Sequence, residues 1–175
     1  SVANARIYFG GLGFFQINPF CLELLVPVVG EWIKGEEVLD LYGGVGTLSL
    51  PHAEQIQSCV IVEENPDATH FAQRNTKEIP HFQITPSKVQ QALKQIGGQQ
   101  TVLLNPPRAG IANQVLQQLL KVKPKRLIYL SCNVSTCARD LKGLQDCYEL
   151  KWQQAFNFFS ATPHIELLTI LERKE

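Results

Sequence analysis

The chain has 175 residues, of which 45% are hydrophobic and 18% are charged, and its mean hydropathy is -0.05. This length predicts one domain at about 100–200 residues per domain, and the composition excludes a disordered, collagen-like or coiled-coil chain. Because 16 Lys or Arg residues balance 16 Asp or Glu residues, any affinity for nucleic acid must come from a local patch or from a part of the protein outside this sequence.

Short apolar runs alternate along the chain with segments of helical period. The predicted strands are residues 37–42, 58–63, 81–85, 101–105 and 126–131, and the predicted helices are residues 48–57, 66–78, 87–95, 111–121 and 135–141. The strand segments are rich in Val, Ile and Leu and are apolar on both faces, as buried parallel strands are. The alternation therefore predicts successive right-handed βαβ units in an open sheet that is covered by helices on both faces.

The last part of the chain has a different pattern. Residues 147–155 and 164–172 are rich in β-forming side chains, and the FNFFSATP segment between them leaves no room for a helix. This pattern predicts an antiparallel hairpin at the end of the parallel sheet. An α/β sheet of this kind is typical of the Rossmann-like fold of S-adenosylmethionine-dependent methyltransferases.

The start of the chain, its apolar stretches and its cysteines indicate what kind of protein it comes from and in which compartment it lies. The sequence begins at Ser1 and contains no Met, which predicts a piece of a longer protein, and no secretion signal precedes the first predicted element. No stretch approaches the roughly 20 apolar residues of a membrane-spanning helix. The five cysteines are scattered, without a Cys-x-x-Cys pair or histidines at zinc spacing, so we expect reduced thiols, no metal and a cytoplasmic location.

The segment DLYGGVGTLSL places Gly43, Gly44 and Gly46 directly after the first predicted strand. Glycine lets the backbone turn sharply close to a ligand, and the start of the predicted helix would offer amides to an anion. In an open sheet, ligands bind in this crevice. The loop lacks the full G-x-G-x-x-G spacing, since residues 47–49 follow Gly46 without a third glycine. This departure favours a methyltransferase, whose loops are more permissive. A dinucleotide enzyme and a tight turn without a ligand are the alternatives.

Two further strand ends add polar groups to the same crevice. Glu63 ends the second strand about 20 residues after the loop, a spacing that suits an acid bound to a ribose hydroxyl. The adjacent Glu64 could take this role instead, and a charged strand end that is only solvated is the other alternative. The fourth strand ends in NPPR, whose prolines stiffen the loop and aim the Asn105 amide into the crevice. Arg108 stands where amino-methylating enzymes have an aromatic residue, which counts against that activity. A structural turn is the alternative here.

The fifth strand runs into LSCNVSTCARDL, so Cys132 lies where a strand is followed by a helix. Ser135 and Thr136 are candidate helix-start residues. This position predicts a lowered thiol pKa and a reactive thiolate. Taken alone, a cysteine after a strand is more often a small buried apolar residue.

Five motifs, FFQIN, DLYGGVGTLSL, NPPR, SCNVSTCARD and FFSATPHIELL, occur in this order and resemble the RNA uracil-5-methyltransferase family over residues 13–171. The resemblance implies transfer of a methyl group from S-adenosylmethionine to carbon 5 of a uridine in structured tRNA or rRNA. It implies that Cys132 is the nucleophile and Glu166 the general base. It also places Gln16, Tyr42, Thr47, Glu63 and Asn105 at cofactor-contacting positions, to which the glycine loop adds Gly44 and Gly46.

The same resemblance implies that residues 1–175 are the catalytic domain, because members of the family often carry an additional N-terminal RNA-binding domain. The expected partner is RNA rather than DNA or a membrane. The chemistry independently requires these residue types: a thiolate at carbon 6 of uracil activates carbon 5, and a base must then remove the proton of carbon 5. Without the resemblance, Glu166 reads as a solvent-facing strand residue.

The sequence departs from the family pattern at two acidic positions. Asn105 stands where the family usually has Asp, and HFQITPSKV lacks an acid at the end of the third strand. Both departures predict weakened cofactor binding. Two rival functions follow, a non-catalytic RNA-binding or assembly factor and a methyltransferase with another target, and the retention of Cys132 and Glu166 counts against both.

Overall fold

The structure is a computed structural model that describes residues 5–10, 19–98, 100–158 and 165–175. Its helices and strands follow in the order α1 (Pro19–Ile33), β1 (Glu37–Leu41), β2 (Ser58–Glu63), α2 (Pro66–Thr76), β3 (Phe82–Pro86), β4 (Thr101–Leu104), α3 (Asn113–Val122), β5 (Arg126–Ser131), α4 (Val134–Leu144), β6 (Tyr148–Phe156) and β7 (Glu166–Arg173). Three short 3₁₀ turns lie between them, at Leu50–His52, Val89–Gln91 and Leu93–Gln95.

The seven strands of the described residues belong to one sheet, in the order β3-β2-β1-β4-β5-β7-β6. β1 to β5 are parallel, whereas β7 runs antiparallel between β5 and β6. The predicted fold class, a mostly parallel Rossmann-like α/β sheet with a C-terminal antiparallel hairpin, is therefore confirmed. Successive connections reverse direction between β1 and β4, and in such sheets ligands bind beyond the carboxyl ends of these two strands.

The core has two layers, one on each face of the sheet. α1 covers one face together with apolar residues of the strands, and α3 and α4 cover the other. No helix within the described ranges is long and apolar enough to cross a membrane.

Two of the predicted helices are wrong. Residues 48–57 form turns and the 3₁₀ turn at Leu50–His52, because Pro51 lacks the N–H that an α-helix needs there. Residues 87–95 form two 3₁₀ turns, in which Val89 and Ala92 are both buried. Side chains three residues apart eclipse in a 3₁₀ turn, so this turn buries apolar residues at the spacing that had indicated an α-helix.

The sequence prediction missed α1. Pro27 lies inside this helix, and it interrupts the pattern by which a helix is usually found. The signal was nevertheless present, because the side chains buried at helical spacing are Leu22, Leu25, Val26, Val29 and Ile33.

One acidic side chain is buried at the end of β1. Asp40 is 1% exposed, and the hydroxyl of Ser49 donates a hydrogen bond of 2.7 Å to its Oδ2. Burial raises the pKa of Asp40 to about 7; the hydrogen bond from Ser49 opposes this rise, and the charge of Glu63 adds to it. The folded chain therefore holds a proton on Asp40 at pH values where the unfolded chain has lost it.

This proton makes the stability of the wild-type chain fall as the pH rises from the unfolded pKa of 3.8 to about 7. One such group contributes a slope of at most about 1.4 kcal/mol per pH unit. Asp40→Asn removes the slope, so we expect the free energy of unfolding of the variant, relative to wild type, to increase by about 1 kcal/mol per pH unit between pH 5 and 7.

Urea unfolding at pH 5, 6, 7 and 8 measures this difference. The same substitution at the exposed Asp146 shows what the loss of a surface carboxylate does by itself. A constant difference between Asp40→Asn and wild type across this range would contradict the buried, protonated state of Asp40.

Candidate active site

A cavity of about 490 Å³ lies beyond the carboxyl ends of β1, β2, β4 and β5. This volume is within the range of about 300–1,000 Å³ that is usual for small-molecule sites. Seven of the predicted site residues line it: Tyr42, Gly44, Thr47, Glu63, Asn105, Cys132 and Glu166. Gly46 lies in the adjoining turn, and Gln16 lies outside the described residues. The structure thus brings together residues that are widely separated in the sequence.

The loop after β1 has an unusual backbone. Tyr42, Gly44 and Gly46 all have positive φ angles, of 60°, 57° and 87°. Such an angle is uncommon for a residue other than glycine, and strained conformations of this kind concentrate at functional sites. A Cβ at Gly46 would lie 2.5 Å from Leu50 Cδ1, so a side chain at this position would force the turn to shift.

The predicted helix N-terminus after this loop is absent, because the loop leads into turns rather than into an α-helix. The loop is hydrogen-bonded instead to the carboxylate of Glu63. Gly44 N donates to Glu63 Oε2 at 3.1 Å, and Asn65 N donates to Glu63 Oε1 at 2.8 Å. Each carboxylate oxygen can accept a further hydrogen bond, so Glu63 can also bind hydroxyl groups in the cavity. The adjacent Glu64 lines the cavity too.

The NPPR segment forms the wall of the cavity at the end of β4. Asn105, Pro106, Pro107 and Arg108 all line it. Asn105 N donates to Leu41 O at 3.3 Å, and Gly110 N donates to Pro107 O at 2.8 Å. These bonds hold the start of the segment to β1 and close its turn.

Cys132 and Glu166 also line the cavity, and the sheet register explains why they meet. β5 and β7 pair in antiparallel register, with Ser131 opposite Leu167. Cys132 and Glu166 are the next residues beyond this pair, at the carboxyl ends of the parallel strands. Glu166 is only 2% exposed, so its interpretation as a solvent-facing residue is wrong. Cys132 is half-buried and directly precedes Asn133, the N-cap residue of α4.

The predicted lowering of the Cys132 pKa is wrong. Burial raises the pKa of the thiol, and the charge of Glu166 raises it further. A backbone hydrogen bond and the guanidinium of Arg108 act in the opposite direction but do not outweigh these effects. Desolvation disfavours the thiolate at this position more strongly than these hydrogen bonds and the positive charge favour it.

Two residues that the sequence analysis did not assign to the site, Asp40 and Arg108, also line the cavity. Their positions in DLYGG and NPPR were the available signals. Within the described ranges, no group of three or more His, Cys, Asp or Glu side chains is arranged to hold a metal ion.

Comparison with protein families matches two parts of the chain. Residues 88–174 match the family described as tRNA (Uracil-5-)-methyltransferase. Residues 21–129 match the family described as Methyltransferase small domain. Together these matches cover the cavity-lining residues of β1, β2, β4, β5 and β7.

Curated relatives match almost the whole chain. The chain is 35% identical over 178 residues to an uncharacterized RNA methyltransferase of Synechocystis sp., a match that covers 97% of the chain and 38% of the relative. It is 34% identical over 158 residues to the tRNA (uracil(54)-C(5))-methyltransferase of Pyrococcus horikoshii, covering 90% and 38%. The chain therefore spans less than half the length of these relatives.

Solved structures agree with these matches. The tRNA (uracil-54, C5)-methyltransferase of Pyrococcus abyssi, in complex with S-adenosyl-L-homocysteine, has a TM-score of 0.83 at 31% identity and matches 98% of this chain and 43% of its own. The N-methyltransferase NodS of Bradyrhizobium japonicum has a TM-score of 0.72 at 15% identity, covering 92% and 100%, which shows a shared fold alone. The motifs, the sheet and the relatives agree, and the chain belongs to the tRNA (uracil-5-)-methyltransferase family.

Proposed function

We propose that this chain is the catalytic domain of an enzyme that transfers a methyl group from S-adenosylmethionine to carbon 5 of a uridine in structured tRNA or rRNA. The observation that carries the proposal is the meeting of Cys132 and Glu166 in one cavity with the loop after β1 and Glu63. The names of the Pyrococcus relatives and the S-adenosyl-L-homocysteine bound to one of them support it.

The residues around the loop after β1 fit an adenosyl cofactor. The position of a Cβ on Gly44 has no atom within 4 Å, which leaves room for a ligand beside the backbone. The Glu63 carboxylate would accept hydrogen bonds from ribose hydroxyls, and Gly46 would maintain the turn. Tyr42, Thr47 and Asn105 would contact the rest of the molecule, as would Gln16. When bound, S-adenosylmethionine supplies an electrophilic methyl group.

Cys132 and Glu166 would act in sequence on the uracil ring. The Cys132 thiolate adds to carbon 6, and the electrons of the ring double bond form an enolate that makes carbon 5 nucleophilic. Carbon 5 then accepts the methyl group, whose bond to the sulfonium sulfur breaks and leaves S-adenosylhomocysteine. Glu166 removes the proton of carbon 5, the carbon–sulfur bond breaks and the thiolate is restored. Glu166 then releases this proton to solvent, so that the thiolate and the carboxylate are both restored at the end of one turnover.

RNA binding would depend on more than this chain. The target uridine must leave its stack before a thiolate can reach carbon 6. With equal numbers of acidic and basic residues, the chain offers little of the phosphate neutralisation that gives most affinity for nucleic acid. We therefore propose that another part of a longer protein binds the RNA. We also propose that the partner is RNA rather than DNA. We further propose a cytoplasmic location, where thiols such as those of the five cysteines stay reduced.

A covalent complex with RNA tests the assignment of Cys132. In the presence of S-adenosylmethionine, the full-length protein should form a complex with RNA that contains 5-fluorouridine. The complex should survive denaturation, because fluorine cannot leave as a proton does. Cys132→Ala should abolish the complex on a denaturing gel. Cys147→Ala is the matched control, since Cys147 is also half-buried, and it should retain the complex. An adduct that persists in Cys132→Ala would contradict the assignment.

Glu166→Gln separates the base from the nucleophile. A general base contributes about 10²–10⁴-fold to a rate, so we expect turnover on natural RNA to fall by that order while a methylated covalent adduct accumulates. Mass spectrometry of the trapped complex would detect the added methyl group. A variant with full activity, or a folded variant without any adduct, would refute this role.

Asn105→Asp tests the departure at the end of β4. A carboxylate at this position would bind the ammonium of the cofactor, and a charged hydrogen bond contributes about 1.5–3 kcal/mol, or roughly one to two decades in Kd. Calorimetric titration with S-adenosylmethionine should show this gain. Asn113→Asp adds the same charge at the exposed start of α3 and should leave Kd unchanged. Equal affinities of Asn105→Asp and wild type would show that residue 105 does not face the ammonium.

A further inference from the structure

The cavity is acidic, apart from one side chain. Among the described residues that line it, Arg108 is the one basic residue, whereas the acidic ones are Asp40, Glu63, Glu64 and Glu166. A thiol in such surroundings resists losing its proton. The reaction that we propose nevertheless requires a thiolate beside a carboxylate base. The positive charge of Arg108 can offset part of the negative charge of these two groups.

The backbone of Arg108 is held by the segment that follows Cys132. Asn133 Nδ2 donates to Arg108 O at 3.3 Å, and Thr136 Oγ1 donates to the same oxygen at 3.2 Å. Arg139 Nη2 donates to the next carbonyl, Ala109 O, at 2.8 Å. Since Asn133 is the neighbour of Cys132 in the chain, these bonds fix Arg108 relative to the thiol.

A buried carboxylate anchors the other end of the same loop. Asp140 on α4 is 1% exposed, and its Oδ2 accepts hydrogen bonds from Ile111 N at 2.8 Å and from the Tyr129 hydroxyl at 2.9 Å. Gly110 has a φ angle of +80°, and a Cβ there would lie 2.5 Å from Asp140 Oδ2. The loop that carries Arg108 therefore rests on β5 and α4, the elements on either side of Cys132.

Two charged groups act on the Cys132 thiol from different elements. Glu166, on β7, adds to the effect of burial and raises the pKa of the thiol, whereas the charge of Arg108 and a hydrogen bond from its side chain lower it. The other ionisable groups that line the cavity are Asp40 and Tyr42 at the end of β1, and Glu63 and Glu64 at the end of β2.

We propose that Arg108 is the positioning residue that enables Cys132 to act as a nucleophile. Its guanidinium places a positive charge beside the sulfur, so that an anionic sulfur and the carboxylate of Glu166 can be present in the same cavity. The proton of the thiol passes to solvent, and the sulfur keeps the electron pair that later forms the bond to carbon 6. The catalytic role of this thiolate rests on the proposed function. Its stabilisation by Arg108 is independent of that function.

The rate at which iodoacetamide alkylates Cys132, measured from pH 6 to 9.5 on the 175-residue chain, tests the proposal without RNA or cofactor. Trypsin releases residues 127–139 as one peptide that contains Cys132 and the buried Cys137. Fragment ions distinguish the two cysteines. Cys137 therefore reports, in the same peptide, whether each variant is folded.

We expect Arg108→Gln to move the pH profile of Cys132 upward by about one unit. The thiolate fraction at pH 7 then falls about tenfold, and because a more basic thiolate is more nucleophilic, the rate falls about threefold. Arg108→Lys keeps the charge and should restore most of the rate. Glu166→Gln should move the profile downward. Arg74→Gln is the matched control, because Arg74 lies over the ring of Tyr8, away from the cavity, and its profile should superpose on that of wild type.

Superposition of the Arg108→Gln and wild-type profiles would overturn the proposal, as would an equal upward shift in Arg74→Gln. If Cys137 becomes reactive in Arg108→Gln, Arg108→Met, which keeps a long side chain, replaces it in the comparison. A shifted profile in a protein without methyltransferase activity would refute the proposed function but not this inference. An unshifted profile in an active enzyme would refute this inference alone.

Discussion

The antiparallel pairing of β7 with β5 is the constraint on which the site depends. The parallel strands leave their carboxyl ends at one edge of the sheet, and only a strand of opposite direction can begin at that edge beside Cys132. The register of Ser131 with Leu167 then sets Glu166 next to the thiol. A slip of one residue would turn Glu166 to the other face of the sheet, so the catalytic pair that we propose depends on the hydrogen-bonding register of two strands.

The two halves of the cavity have different origins. The half at β1 and β2 is built from a strained loop whose amide Gly44 N is bound by the Glu63 carboxylate. The half at β4, β5 and β7 is built from a proline-stiffened loop that is hydrogen-bonded to the first turns of α4. The acidic lining suits a cationic cofactor, whereas the chemistry that we propose at Cys132 passes through anions. In our proposal, Arg108, the basic residue among the described lining residues, reconciles these two requirements.

Local sequence patterns predicted some elements well and others badly, for identifiable reasons. The five parallel strands and the hairpin are confirmed. Four of the parallel strands are largely buried, since runs that are apolar on both faces have few other stable arrangements. β3 differs from the prediction of a buried strand, because it lies at the edge of the sheet and Phe82 is its one buried residue. The helices predicted at residues 48–57 and 87–95 are wrong, because 3₁₀ turns bury the same spacing of apolar residues. α1 was missed because Pro27 hides its period, although five of its side chains are fully buried.

The sequence by itself determined the fold class and the loop after β1, and it predicted Cys132 and Glu166 as the catalytic pair that we propose. These follow from local apolar patterns and from motifs in a recognisable order. Only the tertiary structure decided that Glu166 is buried, that the pKa of Cys132 is raised and that Arg108 faces the thiol. These properties depend on the loss of water and on distances between residues far apart in the chain. Electrostatic interactions vary with the exclusion of water and with distance, and no single segment of the sequence determines either quantity.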